Sequence, residues 1–341
     1  MKKILIIGAG AMGSAFSLPC IENNNNVTIV GTHLEKKFIK NLKNKYYHKT
    51  LKSYLPRKVK ILDYQNLIDE LRNRPDYVVI AVSSKGIDWV CKELIKNYDK
   101  KLSLILLTKG LVNYNNKMVT ISEKINKLFQ KNGLPKQDIT SIKGPCLAAG
   151  LINKIRTSTV IANRNIISAK KVERVITTKY YKAETSKDII GIEVLSAIKN
   201  LYAMLIGASL GLSGPNIQRN IRNKYYHNTS SSLFRESLLE MKNFTVKMKG
   251  LQETTYGLAG LGDLYVSVAG GRNSKMGYYL GLGKKYQNIK RKEMKSITTE
   301  GCELALEIGP IIKKKFKRIQ FPILFALIDA ICKNQKLKIK W

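Results

Sequence analysis

Apolar residues in the first half of the chain come in short continuous runs, not in strict alternation. Lys3-Ile4-Leu5-Ile6-Ile7 is the first, and Val27 to Val30, Asp76 to Val82, Leu102 to Leu107 and Ser158 to Ala162 follow. Runs of this length suit strands buried on both faces. Helix-period segments lie between them at Met12 to Ile21, Ile87 to Asn97 and Met118 to Lys131. Strands alternating with helices predict an α/β protein with a parallel sheet. After about residue 187 the texture changes. Ile189 to Leu210 is long, rich in small residues and charged only at Glu193 and Lys199, so it reads as a buried helix. Helical patterns recur at Ser230 to Lys249, Lys275 to Leu282, Gly301 to Lys314 and Pro322 to Lys333, with no strand pattern and no internal repeat.

The first strand run opens on Gly8-Ala9-Gly10-Ala11-Met12-Gly13. Glycine turns are common, and the spacing alone carries little. Here it stands between a strand and a helix, with a second strand at the distance a dinucleotide-binding unit requires. In that setting Gly8 permits the tight turn, Gly10 admits a pyrophosphate to the backbone, and Gly13 lets the helix pack on the sheet. The N–H groups at Ala11, Met12 and Gly13 open the helix towards the phosphates. The expected architecture is an N-terminal Rossmann-type domain over 1–187 and an all-helical substrate and catalytic domain over 188–341. An acid ending the second strand would bind the ribose 2′-OH and repel a 2′-phosphate. Gly31-Thr32-His33 stands there instead, with Glu35 slightly late and Lys36 and Lys37 beyond. The missing acid leans the reading from NAD towards NADP, with Thr32 and His33 as cofactor contacts or as ordinary loop residues.

Composition narrows the class. With 44% hydrophobic residues, 341 residues can build a core in each of two domains. No apolar stretch runs uninterrupted for about 18 residues, so no membrane span is expected. Glycines break the run after Met1-Lys2-Lys3, against a signal peptide, and a cytoplasmic protein is expected. The five cysteines are scattered without a CxxC, and there are three histidines. Reduced thiols and no metal site follow. The net charge of +36 admits an anionic partner such as nucleic acid, a membrane surface or a phosphorylated substrate. Lysine is spread along the whole chain, not concentrated on one element or interleaved with aromatics, so compositional drift is preferred and no specific nucleic acid is expected.

Several residues carry candidate chemistry. Lys109, in Thr108-Lys109-Gly110, closes a strand at the sheet edge where ligands bind in such folds. Most strand-end lysines are merely solvated, but the glycine after it suggests a backbone pressed close to something. Gly144-Pro145-Cys146, followed by Ala148, forms a tight turn, and Cys146 reads as a small turn residue because no histidine lies near it in sequence. Lys199, with Asn200, lies within an apolar helix. A buried ammonium needs a partner, and burial moves amines towards the range useful for proton transfer. A lysine snorkelling from the helix edge is the plainer alternative. Asp263 emerges from the glycine-rich turn 257–262 as a candidate partner. Gly270-Gly271-Arg272-Asn273 offers a guanidinium suited to bidentate phosphate binding.

Taken together these motifs resemble the soluble NAD(P)-dependent glycerol-3-phosphate dehydrogenase family over nearly the whole chain. GAGAMG, Tyr54-Leu55-Pro56, the 108–110, 144–146, 193–200, 257–264 and 270–273 motifs, and Thr298-Thr299-Glu300-Gly301 fall in family order. The resemblance implies hydride transfer between a nicotinamide and C2 of dihydroxyacetone phosphate or sn-glycerol 3-phosphate, supplying phospholipid synthesis. It implies Lys199 as general acid–base, Asp263 as its partner, and Lys109 and Asn200 as orienting groups. Gly144, Cys146, Gly271, Arg272 and Asn273 would line the substrate. Lys109, Ala148, Arg272 and Glu300 would lie near the cofactor. A homodimer through the helical domain is a further implication.

Three segments depart from the family pattern. Cys146 replaces the usual Ser or Thr, Ala149-Gly150 replaces a common Lys-Glu, and Ala269-Gly270-Gly271 replaces a Ser- or Pro-rich loop. They leave the acid–base group intact but bear on substrate identity. A ketopantoate-reductase-like enzyme for another anionic ketone is one rival, and a basic polyanion-binding protein is another.

Overall fold

The computed structural model describes residues 1–97, 101–214 and 217–339. It divides into two compact units, Met1–Lys109 with Ile121–Ile189 and Gly110–Thr120 with Ile190–Trp341. The last two residues of the expected second domain, 340 and 341, lie outside the described residues.

The first unit is built on an eight-stranded sheet. From one edge its strands are Tyr181–Ser186, Thr157–Ala162, Asp138–Lys143, Ser103–Leu106, Tyr77–Ile80, Lys3–Ile7, Asn26–Val30 and Lys60–Leu62. Every pairing is parallel except that of Asp138–Lys143 with Thr157–Ala162. The Lys3–Ile7 strand lies between Asn26–Val30 and Tyr77–Ile80, so the winding reverses beside it. The crevice at its carboxyl end is where such sheets take ligands. Continuous apolar runs became central strands because both faces are covered: Ile6, Ile7, Ile29, Val79 and Ile105 are fully buried.

Three of the eight strands are absent from the hydropathy reading, and each has a physical reason. Lys60–Leu62 has three residues, and Tyr181–Ser186 alternates polar groups. Asp138–Lys143 carries Thr140 and Ser141 at buried positions. Asn163 satisfies part of that strand by donating to Asp138 and to the Thr140 hydroxyl, both at 2.8 Å.

The second unit wraps the Ile189–Gly207 helix, buried without interruption from Gly191 to Ile206. Its length and composition would suffice to cross a membrane, but 94% of its apolar window is buried inside the protein. Helices His227–Lys247, Arg272–Gly281, Glu300–Lys315 and Pro322–Cys332 contribute to the same apolar core. Glycines set how closely two of them approach. A Cβ on Gly277 would lie 1.8 Å from the Met204 carbonyl oxygen, and one on Gly207 would lie 2.3 Å from that of Ser274. The Arg272–Gly281 helix therefore packs backbone to backbone on the central helix.

One expectation needs correction. The helix read from Met118 begins at Ile121, and residues 117–120 are a strand pairing with Leu111–Tyr114. This hairpin belongs to the second unit, so that unit is helical after residue 187 but also takes a hairpin from the middle of the chain. The turn residues Asn115 and Asn116 both have left-handed φ, of +50° and +57°. Two asparagines between short apolar segments favour such a turn.

Candidate active site

In the first unit the glycine turn has the shape the spacing requires. Gly8 sits at φ +106°, where a side chain would be strained, and a Cβ there would also come within 2.9 Å of the Ala81 carbonyl oxygen. Gly13 presses on the Gly8 carbonyl, 2.4 Å from where its Cβ would be. A Cβ on Gly10, by contrast, meets nothing within 4 Å. The turn is closed against the sheet and open above Gly10, at the start of a helix with no side-chain cap and no acid in its first turn. Those N–H groups have no partners within the helix, so the residues present fit a dinucleotide pyrophosphate.

Two side chains hold the backbone of Ala9, one at its carbonyl and one at its N–H. His48 is buried, with Nε2 3.1 Å from the Ala9 carbonyl oxygen and Nδ1 accepting from the Leu51 N–H. Burial lowers its pKa, in keeping with a neutral ring that donates through Nε2. Glu35 comes from the other side: its Oε2 accepts from the Thr32 N–H at 2.8 Å and from the Ala9 N–H at 3.3 Å. His33 packs against Trp89 with the rings tilted by 57° and their centroids 5.0 Å apart.

At the carboxyl edge of the sheet, the Thr108 hydroxyl donates to the Val82 carbonyl at 2.7 Å, fixing the loop that presents Lys109. Lys109 reaches the Gly144 carbonyl at 3.5 Å. Gly144 has φ +139°, and Cys146 is half-buried beyond it. Tyr181 is buried, and burial pushes its phenol pKa up. Ala148 starts a short helix, Ala148–Ile152. Lys143 is almost fully buried and donates to the Leu106 carbonyl at 2.7 Å.

In the second unit, Lys199 and Asn200 are consecutive on the buried helix and serve two networks. The Lys199 ammonium donates to Asp263 Oδ1 at 2.5 Å and to the Ser267 hydroxyl at 2.7 Å. Only 8% of the Lys199 side chain and 4% of that of Asp263 is exposed, so neither charge has bulk water to stabilise it. Asp263 opens the Asp263–Val268 helix, and Ser267, one turn on, donates back to the Asp263 carbonyl at 2.7 Å. A carboxylate is favoured at a helix N-terminus. The turn before it, Leu258–Gly262, is π-helical and tight: a Cβ on Gly260 would lie 2.1 Å from the Thr255 carbonyl oxygen.

Asn200 accepts from the Asn273 amide at 2.9 Å, and Asn273 accepts from the Gly301 N–H at 3.0 Å. Glu300 lies beside both, 3.4 Å from the Asn200 amide and 3.5 Å from Arg272. Gly271 caps the Arg272–Gly281 helix in extended conformation, and more than half of the Arg272 side chain is exposed. A helix N-terminus carrying an exposed guanidinium is suited to an anion.

The arrangement can be set beside known proteins. A family model described as the NAD-dependent glycerol-3-phosphate dehydrogenase N-terminus matches residues 3–169, and one for the C-terminus matches 188–340. The NADP(+)-dependent glycerol-3-phosphate dehydrogenase of Archaeoglobus fulgidus is 31% identical over 280 residues, 82% of this chain and 80% of its own. The chain belongs to the NAD-dependent glycerol-3-phosphate dehydrogenase family. The glycerol-3-phosphate dehydrogenase [NAD(P)+] of Mycoplasma mobile is 29% identical over 99% of this chain and 94% of its own. In fold, the glycerol-3-phosphate dehydrogenase of Coxiella burnetii superposes with a TM-score of 0.79 at 22% identity, covering 98% of this chain and 96% of the other.

Against this family background, the structure brings Lys199 and Asp263 together, as it does Asn200, Asn273, Arg272 and Glu300. It likewise groups Gly8, Gly10, Ala11, Met12 and Gly13, and places Lys109 beside Gly144. Ser267, Lys143, His48 and Trp89 were not read from the sequence. Ser267 had a signal, its i+4 spacing from Asp263, and Glu35 had one in the Thr-x-x-Glu pattern of a helix start. Among the described residues no cluster of metal-ligating side chains occurs. Cys20, Cys91 and Cys302 are buried, and burial raises their thiol pKa values, those of Cys91 and Cys302 to about 12, which suits inert reduced thiols.

Proposed function

We propose that this chain interconverts dihydroxyacetone phosphate and sn-glycerol 3-phosphate with NAD or NADP, and that Lys199 is the acid–base group on the C2 oxygen. The buried pair of Lys199 and Asp263 carries the reading. When bound, the nicotinamide supplies or accepts the hydride. As a ketone is reduced, negative charge grows on its oxygen, and a proton must be given at that atom. Lys199 is a proton donor whose direction Asp263 and Ser267 fix. Asp263 also stabilises the ammonium form that donates, and in the reverse reaction the amine takes the proton back.

Asn200, tied to Asn273, orients the substrate, and Arg272 with Gly271 holds an anionic group, the substrate phosphate or a cofactor phosphate. Lys109, Gly144 and Cys146 are assigned to the substrate by family resemblance, and Ala148, Glu300, Thr32 and His33 to the cofactor. The product would enter phospholipid synthesis in the cytoplasm, and the working form would be a homodimer.

The test is Lys199→Ala. Turnover should fall by about 10²- to 10⁴-fold, while cofactor affinity measured by calorimetry stays within a factor of about two. Loss of cofactor binding instead, or retention of turnover, removes Lys199 from the acid–base role.

A further inference from the structure

The second strand ends at Val30 without an acid, yet the place an acid would serve is filled. Gly8 N–H donates to the Val30 carbonyl at 2.9 Å, which sets the glycine turn beside the end of that strand. Glu35 Oε2 bridges the two sides of this notch, taking one N–H from Ala9 in the turn and one from Thr32 beyond the strand. In dinucleotide-binding sheets this notch receives the adenosine ribose, and its carboxylate decides between a 2′-hydroxyl and a 2′-phosphate. We propose that Glu35, reaching back from the helical turn after the strand, reads the ribose and selects NAD(H) over NADP(H).

The proposal rests on the cofactor reading above and reverses the lean to NADP drawn from the missing strand-end acid. A 2′-phosphate entering the notch would meet the carboxylate's charge and find both N–H donors already accepted. A 2′-hydroxyl can donate to the same carboxylate. Lys36 and Lys37 follow immediately but are exposed, where screening weakens their pull on a phosphate. Glu35 is held by two directed hydrogen bonds.

Glu35→Gln separates charge from turn geometry, because the amide oxygen can still accept both N–H groups. Binding of NAD+ and NADP+ to the wild-type protein and the variant, measured by calorimetry, is the readout, with steady-state kinetics beside it. The wild type should bind NAD+ the more tightly, and the variant should gain NADP+ affinity by about tenfold or more relative to NAD+. Equal affinities in the wild type with an unchanged ratio in the variant would overturn the proposal. So would an equal loss for both cofactors, which would make Glu35 a turn cap alone. A folded wild-type protein that binds neither cofactor would instead overturn the dehydrogenase reading itself.

Discussion

At the residue scale the buried Lys199–Asp263 pair carries the proposed proton transfer and sets a cost for the fold. Two charges withdrawn from water are tolerated because each is the other's partner, so removing one should be worse than removing both. Asp263→Ala is expected to lower unfolding stability by roughly 3–5 kcal/mol, while Lys199→Met combined with Asp263→Leu should recover most of that and stay inactive. Denaturant unfolding checks it, and a double variant no more stable than Asp263→Ala would contradict the pair's energetics. Lys199 was legible because a lone cation in an apolar helix has few explanations, and Asp263 because it follows a glycine-rich turn. Lys143 was not, since its burial depends on a strand whose polar residues hid it. Glu35 was visible but set aside by its distance from the strand end, since sequence spacing does not show a side chain folding back.

At the scale of elements, long apolar segments announced themselves and short ones did not. The helices over 189–207 and 322–332 and the strand over 3–7 follow from hydropathy alone, whereas the three-residue strand at 60–62 and the hairpin at 111–120 depend on tertiary partners. The C-terminal helix shows how one side chain anchors an element. Glu240, from the 227–247 helix, is buried and accepts from the Ile323 and Leu324 N–H groups at the start of the 322–332 helix and from the Tyr202 hydroxyl. Burial raises its carboxyl pKa to about 7, with Glu236 adding to the rise, against the pull of the three donors. A folded pKa above the unfolded value means the fold holds a proton that the unfolded chain releases. Stability from this group is therefore full below about pH 4.5 and is lost as pH rises to about 7, by roughly 3 kcal/mol at most. Glu240→Gln should remove that dependence, so its stability relative to wild type should improve between pH 5 and pH 8. A difference that stays constant over this range would contradict the assignment.

At the scale of the whole molecule, a sheet unit and a helical unit were expected with a boundary near 187; the observed units change after Ile189, and the 110–120 hairpin belongs to the second. The excess of basic residues, 60 against 24 acids, runs along the whole chain. Two of the scarce acids hold cations: Asp263 pairs with Lys199, and Asp329 is shared by Lys313, Arg318 and Lys333. Family membership covers both units, since the matched residues run over 3–169 and 188–340. The most direct measurement follows nicotinamide absorbance while the protein is given dihydroxyacetone phosphate with NADH and, separately, NADPH. Oxidation of the cofactor dependent on that substrate and abolished by Lys199→Ala is the expected result. No oxidation with either cofactor, while another anionic ketone such as 2-dehydropantoate is reduced, would contradict it.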